Sequence, residues 1–229
     1  MKKTLYTAVG HFRRKIDKSG NAYPIVLAAR REYLLDPQEM TIWTALNWRL
    51  LDAGQAEEKY NLMARQLKLM EYRTFENCLR RLEVRGLVAS GTGDTDVDAL
   101  YDLLSSLYVV PVSESLHLRA VAFLKMLFQG VPLAAAKQLF CRVSVSKQES
   151  QILELSKQAL LSTAELIKCV ELGVSDISSD NKAMDLLYSD DYTTSDNMIY
   201  DMRGAKCSTP VIMAISNLFL KKKIIFERV

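Results

Sequence analysis

Residues Met63 to Val88, MARQLKLMEYRTFENCLRRLEVRGLV, constrain the fold more than any other stretch of this 229-residue chain. Met63, Ala64, Leu67 and Leu69 are the apolar positions of a first short segment. Phe75, Cys78, Leu79 and Leu82 form one stripe of a second. Recurrence every three or four residues marks a helix with one buried face. Gly86 stops the second helix, because glycine takes the left-handed conformation at a helix end without a Cβ penalty. Leu87 and Val88 then begin an extended run. The spacing predicts helix, turn, helix and strand.

The flanking sequence extends this pattern. Asp36 is placed to cap a helix, with Pro37 at its first position and Glu39 completing a capping box. Met40, Trp43, Leu46 and Leu50 follow at helical spacing, widened by Ile42 and Leu51, and Gly54 is the expected end. A further helix is expected from about Glu57 to Leu67. Before Asp36, residues Thr4 to Leu35 read as extended: TLYTAV, a KSGN turn, then YPIVLA. A hairpin or arm is expected there. Its Arg13, Arg14 and Lys15 form a small basic cluster whose plain reading is a solvated surface. After Val88, ASGTGDTD reads as a hairpin tip with Gly91 and Gly93 at the bend, yet no strong returning strand follows. Asp94 or Asp96 is expected to cap the next helix, VDALYDLLSSL, and YVVPV to be extended or a turn.

From Leu116 to Ala159 the pattern is helical, divided by Gly130 and Pro132, with Ser146 and Glu149 as a capping box. Ser162 and Glu165 form another, on a helix stopping at Gly173. Between Glu171 and Asp201 stand eight acidic residues and a single Lys182, around one short helical candidate, NKAMDLLYS. That composition reads as a connection. The chain closes with STPVIMAISNLFLKKKIIFERV, where Thr209 caps, Pro210 takes the first position, and Val211, Ile215, Leu218 and Phe219 face inward. This ending echoes residues 74–88: a Thr, a helix, a basic last turn and a β run. Either an ordinary closing helix and strand or a second, degenerate copy of the first unit accounts for it.

Composition narrows the class. Half of the chain is hydrophobic and a quarter charged, as in globular proteins. No secretory signal and no run of 18 apolar residues is found, so a cytoplasmic location without a membrane span is expected. Cys78, Cys141, Cys169 and Cys207 have no paired spacing, and His11 and His117 are isolated, so neither disulfides nor a metal site is expected. The P-loop, GxGxxG, HExxH and GxSxG motifs are absent. No catalytic residue, enzyme activity or cofactor is expected. Residues 1–92 hold 16 Lys+Arg against 10 Asp+Glu, a net of +6, and residues 93–229 hold 14 against 17, a net of −3. Such asymmetry is expected where the first part meets a polyanion.

With Phe75, Leu79 and Leu82 inward, steps of 100° place Arg73, Asn77 and Arg80 outward, with Thr74 and Arg81 on the flanks. Arginine forks onto guanine and asparagine pairs with adenine. Thr74 at the helix start suits a phosphate, and Arg65 and Lys68 offer a second backbone contact. The plain alternative is a pair of core helices.

Met63-Ala64, Leu67, Thr74-Phe75 and Arg81-Leu82-Glu83-Val84-Arg85-Gly86-Leu87-Val88 resemble the helix-turn-helix of bacterial winged-helix regulators, especially the MarR-like group. Two departures stand out: Lys68 occupies a turn position where a small residue is common, and the wing, GTGDTD, is acidic. The resemblance implies a DNA-binding domain in a dimeric regulator. The expected architecture is mainly α with small β wings: an arm or hairpin over 1–35, a winged helix over 36–95, a helical dimerisation region over 96–160, and a C-terminal helical region over 161–229 that is a candidate second winged helix. The expected function is transcription regulation by a homodimer on double-stranded DNA, through Arg65, Lys68, Arg73, Thr74, Asn77, Arg80 and Arg81. A replication, partition or mobile-element protein, and a winged helix that binds protein, are the alternatives. No residue identifies a small-molecule effector.

Overall fold

This computed structural model describes residues 2–70, 72–112, 144–177, 185–188 and 192–228. The Gly130–Pro132 division, Cys141, His117 and most of the NKAMDLLYS candidate lie outside the described residues.

The chain opens with β1 (Lys3–Ala8), followed by β2 (His11–Ile16), β3 (Ala22–Ala28) and β4 (Arg31–Leu34). The last three form an antiparallel sheet in the order β2-β3-β4. Then come α1 (Pro37–Leu46), α2 (Ala53–Leu67), α3 (Phe75–Val84) and β5 (Val88–Gly93). Asp36 caps α1, accepting the Glu39 N–H at 2.9 Å. The carboxylate of Glu39 does not close a capping box but turns to Arg81 and Arg85. The helix ends well before Gly54. Trp48 adopts φ 53°, and Leu51 leaves as extended chain, exchanging backbone hydrogen bonds with Tyr6 at 2.7 and 3.1 Å. Gly54 lies in the first turn of α2, which Asp52 and Gln55 open as a capping box.

β1 pairs antiparallel with β5, from Lys3 opposite Gly93 to Ala8 opposite Val88. The N-terminal strand thus supplies the partner that the sequence after Val88 lacks. Gly91 and Gly93 are strand residues, not a bend. A Cβ on Gly91 would lie 2.0 Å from the Leu103 nitrogen, and one on Gly93 2.2 Å from the Ala99 nitrogen. Both therefore let α4 (Asp96–Leu104) lie directly against β5. Thr95, rather than Asp94 or Asp96, caps that helix.

A second unit repeats the plan. It comprises β6 (Tyr108–Pro111), α5 (Lys147–Gln158), β7 (Leu161–Ser162), α6 (Thr163–Glu171), α7 (Ser195–Arg203), α8 (Ser208–Leu220) and β8 (Ile224–Glu227). Ser146, Glu149 and Ile152 stand where Asp36, Glu39 and Ile42 stand in the first unit. Leu161, Ser162 and Glu165 match Leu51, Asp52 and Gln55 at the same spacing, down to the second capping box. In one sheet Tyr6 sits between Leu51 and Ser90. In the other Val109 sits between Leu161 and Phe226. Buried Phe75, Cys78, Leu79 and Leu82 correspond to buried Val211, Ala214, Ile215 and Leu218. Left-handed Gly86, φ 72°, corresponds to left-handed Lys222, φ 59°. The helix α8 starts at Ser208 without a side-chain cap, so Thr209 and Pro210 fall inside its first turn.

The mainly α expectation is corrected by these sheets. The described residues are mixed α and β, about 49% helix and 22% strand. Extended segments are expected from the sequence at these places, but their pairing is not, because β1 and β5, and β6 and β8, are remote in sequence, and β2, HFRRKI, is exposed at all six positions and shows no alternation. Two cores result. One gathers Trp43, Tyr60 and Leu82 of α1, α2 and α3. The other runs from α4 to β8 and holds Leu103, Leu104, Ile152, Ile215 and Phe226. Ala99, Leu100, Tyr101, Leu103 and Leu104 of α4, which lie in the stretch expected to mediate dimerisation, are buried within their own chain, while Val97 stays exposed.

Candidate nucleic-acid interface

Helix α3 is held on its inner face by Phe75, Cys78, Leu79 and Leu82, each at most 7% exposed. Fully burying one such side chain is worth about 1.5–3 kcal/mol, so the rotation of the helix is fixed. That rotation turns Asn77, Arg80 and Val84 to solvent, Val84 with 81% of its surface free. The Thr74 hydroxyl accepts the Asn77 N–H at 3.3 Å and so caps the helix, satisfying one N–H group of its first turn. Among the described residues the side chains of Asn77 and Arg80 make no hydrogen bond or ion pair. The same holds for exposed Arg65 and Lys68, which lie at the end of α2. Lys68 itself is left-handed, φ 51°, at the turn position where a small residue is common in the winged helices that this segment resembles.

Arg73 and Arg81 are placed differently. Arg73 precedes α3 and is half-buried, donating to Asp36 at 2.6 Å. Burial pushes the Asp36 carboxyl up, but Arg73 and the Glu39 and Gln38 N–H groups outweigh it and hold it below the usual range. The Arg73 carbonyl accepts from the buried Gln38 amide at 2.6 Å. This residue therefore fixes the turn onto α1 rather than presenting a free cation. Arg81 and Arg85 share Glu39, which is 2% exposed, at 2.9 and 2.8 Å. Arg81 nevertheless keeps 54% of its side chain exposed. The same pair recurs in the second unit as Lys221 on Glu149 at 2.8 Å.

The surroundings of α3 are electrically lopsided. On one flank a groove of about 390 Å³ is lined by Tyr6, Glu57, Glu76 and Glu83 together with Arg80. On the other stand Arg81, Arg85 and then the β2-β3-β4 sheet. Arg85 lies 5.6 Å from the centre of the Tyr33 ring of β4 and donates to the Leu34 carbonyl at 3.0 Å. Sequence reasoning did not foresee this link, because nothing local ties Tyr33 to Arg85.

In the second unit, α8 exposes Thr209, Met213, Asn217 and Leu220, a face without a charged group. The lysines that follow are engaged: Lys221 with Glu149, and Lys222 over the Trp48 ring at 5.5 Å. The two units share a scaffold and differ in chemistry. Among the described residues no cluster of His, Cys, Asp and Glu is arranged to hold a metal ion, and no helix is long and apolar enough to cross a membrane. Comparison with protein-family models, curated proteins and solved structures yields no significant match.

Proposed function

We propose that this chain binds double-stranded DNA selectively, with α3 in the major groove, as a transcription regulator. The observation that carries this reading is the outward face of α3. Asn77 and Arg80 stand free beside exposed Val84, while every apolar anchor of the helix is buried. An amide and a guanidinium satisfy the edges of adenine and guanine, and an apolar side chain meets the thymine methyl group. Thr74 and the free N–H groups of the first turn suit a phosphate, and Arg65, Lys68 and Arg81 flank it. Arg73 is assigned to holding the turn.

The uncharged face of α8 favours regulation by a homodimer over a replication or partition protein that reads two repeated half-sites with one chain. A single α3 is a small reading element, and a second copy of the chain provides the other half-site. The acidic groove beside Arg80 favours a second reading, in which the same helix meets a protein.

Selection of duplexes from a random pool, followed by titration with salt, separates the two. For four to six engaged phosphates, log K against log salt falls with a slope of about −4 to −5. A flat response removes the DNA reading. On a selected duplex Arg80→Ala is expected to cost about 1–3 kcal/mol and to relax preference at one base pair. Equal loss on every sequence reassigns Arg80 to a phosphate.

A further inference from the structure

The three-stranded sheet inserted between β1 and α1 carries a charge that the proposed reading of α3 leaves unused. Residues 11–34 hold six Lys and Arg (Arg13, Arg14, Lys15, Lys18, Arg30, Arg31) against Asp17 and Glu32, a net of +4. The whole chain has +3. Asp17 is committed to its own turn, accepting the Ser19 and Asn21 N–H groups at 2.8 Å. Glu32 is paired with Lys15. Among the described residues Arg13, Arg14 and Lys18 make no side-chain hydrogen bond or ion pair.

The sheet is oriented by its two ends. At one end it is fastened to the second unit. The Gly10 N–H donates to the Phe226 carbonyl at 2.7 Å, and Ala29 N–H donates to Glu227 at 3.2 Å. At the other end it is fastened to the helix α3, through Arg85 on Tyr33 and Leu34. In register, Leu34 at the end of β4 lies opposite Ile25, which lies opposite Arg13. Beyond that rung only β2 and β3 continue, through Arg14 opposite Pro24 and Ile16 opposite Ala22. At about 3.3 Å per residue the ribbon overhangs β4 by roughly 10 Å before its turn. The overhang leaves the sheet at the end tied to the last turn of α3, on the flank away from the acidic groove.

We propose that this β2–β3 ribbon is a second DNA contact, gripping the duplex backbone beside the α3 site through Arg13, Arg14 and Lys18. The proposal rests on the DNA reading of α3. It assigns the flanking contact to a hairpin that precedes the helix-turn-helix. The place after β5 is unsuited: the chain passes through Asp94 directly into α4, and Asp96 there pairs with Lys3 at 2.8 Å. Charges of this kind add affinity and salt dependence without sequence preference.

The test uses a duplex selected by the wild-type chain and the triple variant Arg13→Ala/Arg14→Ala/Lys18→Ala. All three side chains are exposed, and thermal melting checks that the fold is kept. Each lost phosphate contact lowers the salt slope by about 0.9. The variant is expected to show a slope shallower by about 2–3 for each bound subunit, a weaker affinity, unchanged base preference, and backbone protection lost on the same flank of each half-site. Arg80→Ala serves as the contrast, with altered preference and a slope changed by no more than about one contact. An unchanged slope and footprint in the triple variant, with Arg80→Ala still defective, overturns the ribbon and spares the reading of α3. Absence of duplex binding by the wild-type chain overturns both. Exposed Phe12 and Ile16 on the same ribbon also suit a lipid surface. If the variant keeps its duplex slope and loses sedimentation with phosphatidylserine vesicles, the partner is a membrane and the assignment to DNA fails.

Discussion

Replacing Gly91 by alanine tests how β5 and α4 fit. The added Cβ meets the Leu103 nitrogen at 2.0 Å, the Leu103 Cα at 2.4 Å and the Ala99 carbonyl oxygen at 2.6 Å. Comfortable separation is about 3.5 Å, so the shortfall exceeds about 1 Å. All three obstructing atoms belong to the backbone of a helix, and no rotamer change relieves them. Overpacking a core costs about 1–3 kcal/mol where side chains can adjust. Here α4 must lift from the strand as a body, loosening buried Ala99, Leu103 and Leu104. The expected loss is about 3 kcal/mol or more, a fall in Tm of roughly 6–12 °C for a chain of this size. Gly54→Ala is the control: its Cβ meets only the Asp52 carboxylate at 3.6 Å, and the exchange within a helix gains up to about 1 kcal/mol. Urea denaturation of both variants gives the numbers. A loss below about 1 kcal/mol for Gly91→Ala, or a Gly91→Asn protein as stable as wild type, would falsify the close-approach account and return Gly91 to a bend.

The remaining predictions concern titration and thiols. Burial raises the Glu149 carboxyl, but Lys221 and the Ser146 N–H outweigh it, so its pKa lies below the ordinary 4.5. A depressed folded value means stability that is complete above the free value and lost as pH falls through the folded one. In urea, Glu149→Gln is therefore expected to be less stable than wild type at pH 7, with the gap narrowing from pH 5 to pH 3; a constant gap contradicts the pairing. Burial, with Glu165 nearby, pushes the Cys169 thiol up to about 11, and burial also raises Cys78 and Cys207. Alkylation at pH 8, followed by mass spectrometry, should leave Cys169 largely unmodified while the protein is folded. Rapid labelling of Cys169 rules this out.

Local chemistry was legible and distant pairing was not. The Asp36 cap, the Ser146 and Ser162 boxes, the stripe on α3 and the stop at Gly86 all depend on residues within a turn or two, so spacing reveals them. Trp48 turning out of α1 and Leu51 leaving as extended chain are invisible to helical periodicity, since Leu50 and Leu51 continue the apolar stripe. Gly91 and Gly93 were misread because a glycine tolerated for φ and a glycine required for close approach look alike in sequence. At the proposed interface, Asn77 and Arg80 follow from the 100° step. The engagement of Arg73 by Asp36 does not, because Arg73 lies outside the helix that the step describes. Two echoing segments hinted at repetition, and the paired capping boxes complete it in three dimensions.

The order of strands has a consequence for biosynthesis. In the β1-β5 sheet, widened by the Leu51 bridge, and in the β7-β6-β8 sheet, the central strand is the one that leaves the ribosome first. About 80 residues separate Ala8 from Val88, so at 5–20 residues per second β1 waits roughly 4–16 s for its partner. Val109 waits longer still for Phe226. During that interval the nascent chain carries an unsatisfied β template, and ribosome-associated chaperones that shield emerging strands should raise the yield of folded protein more than they raise its final stability.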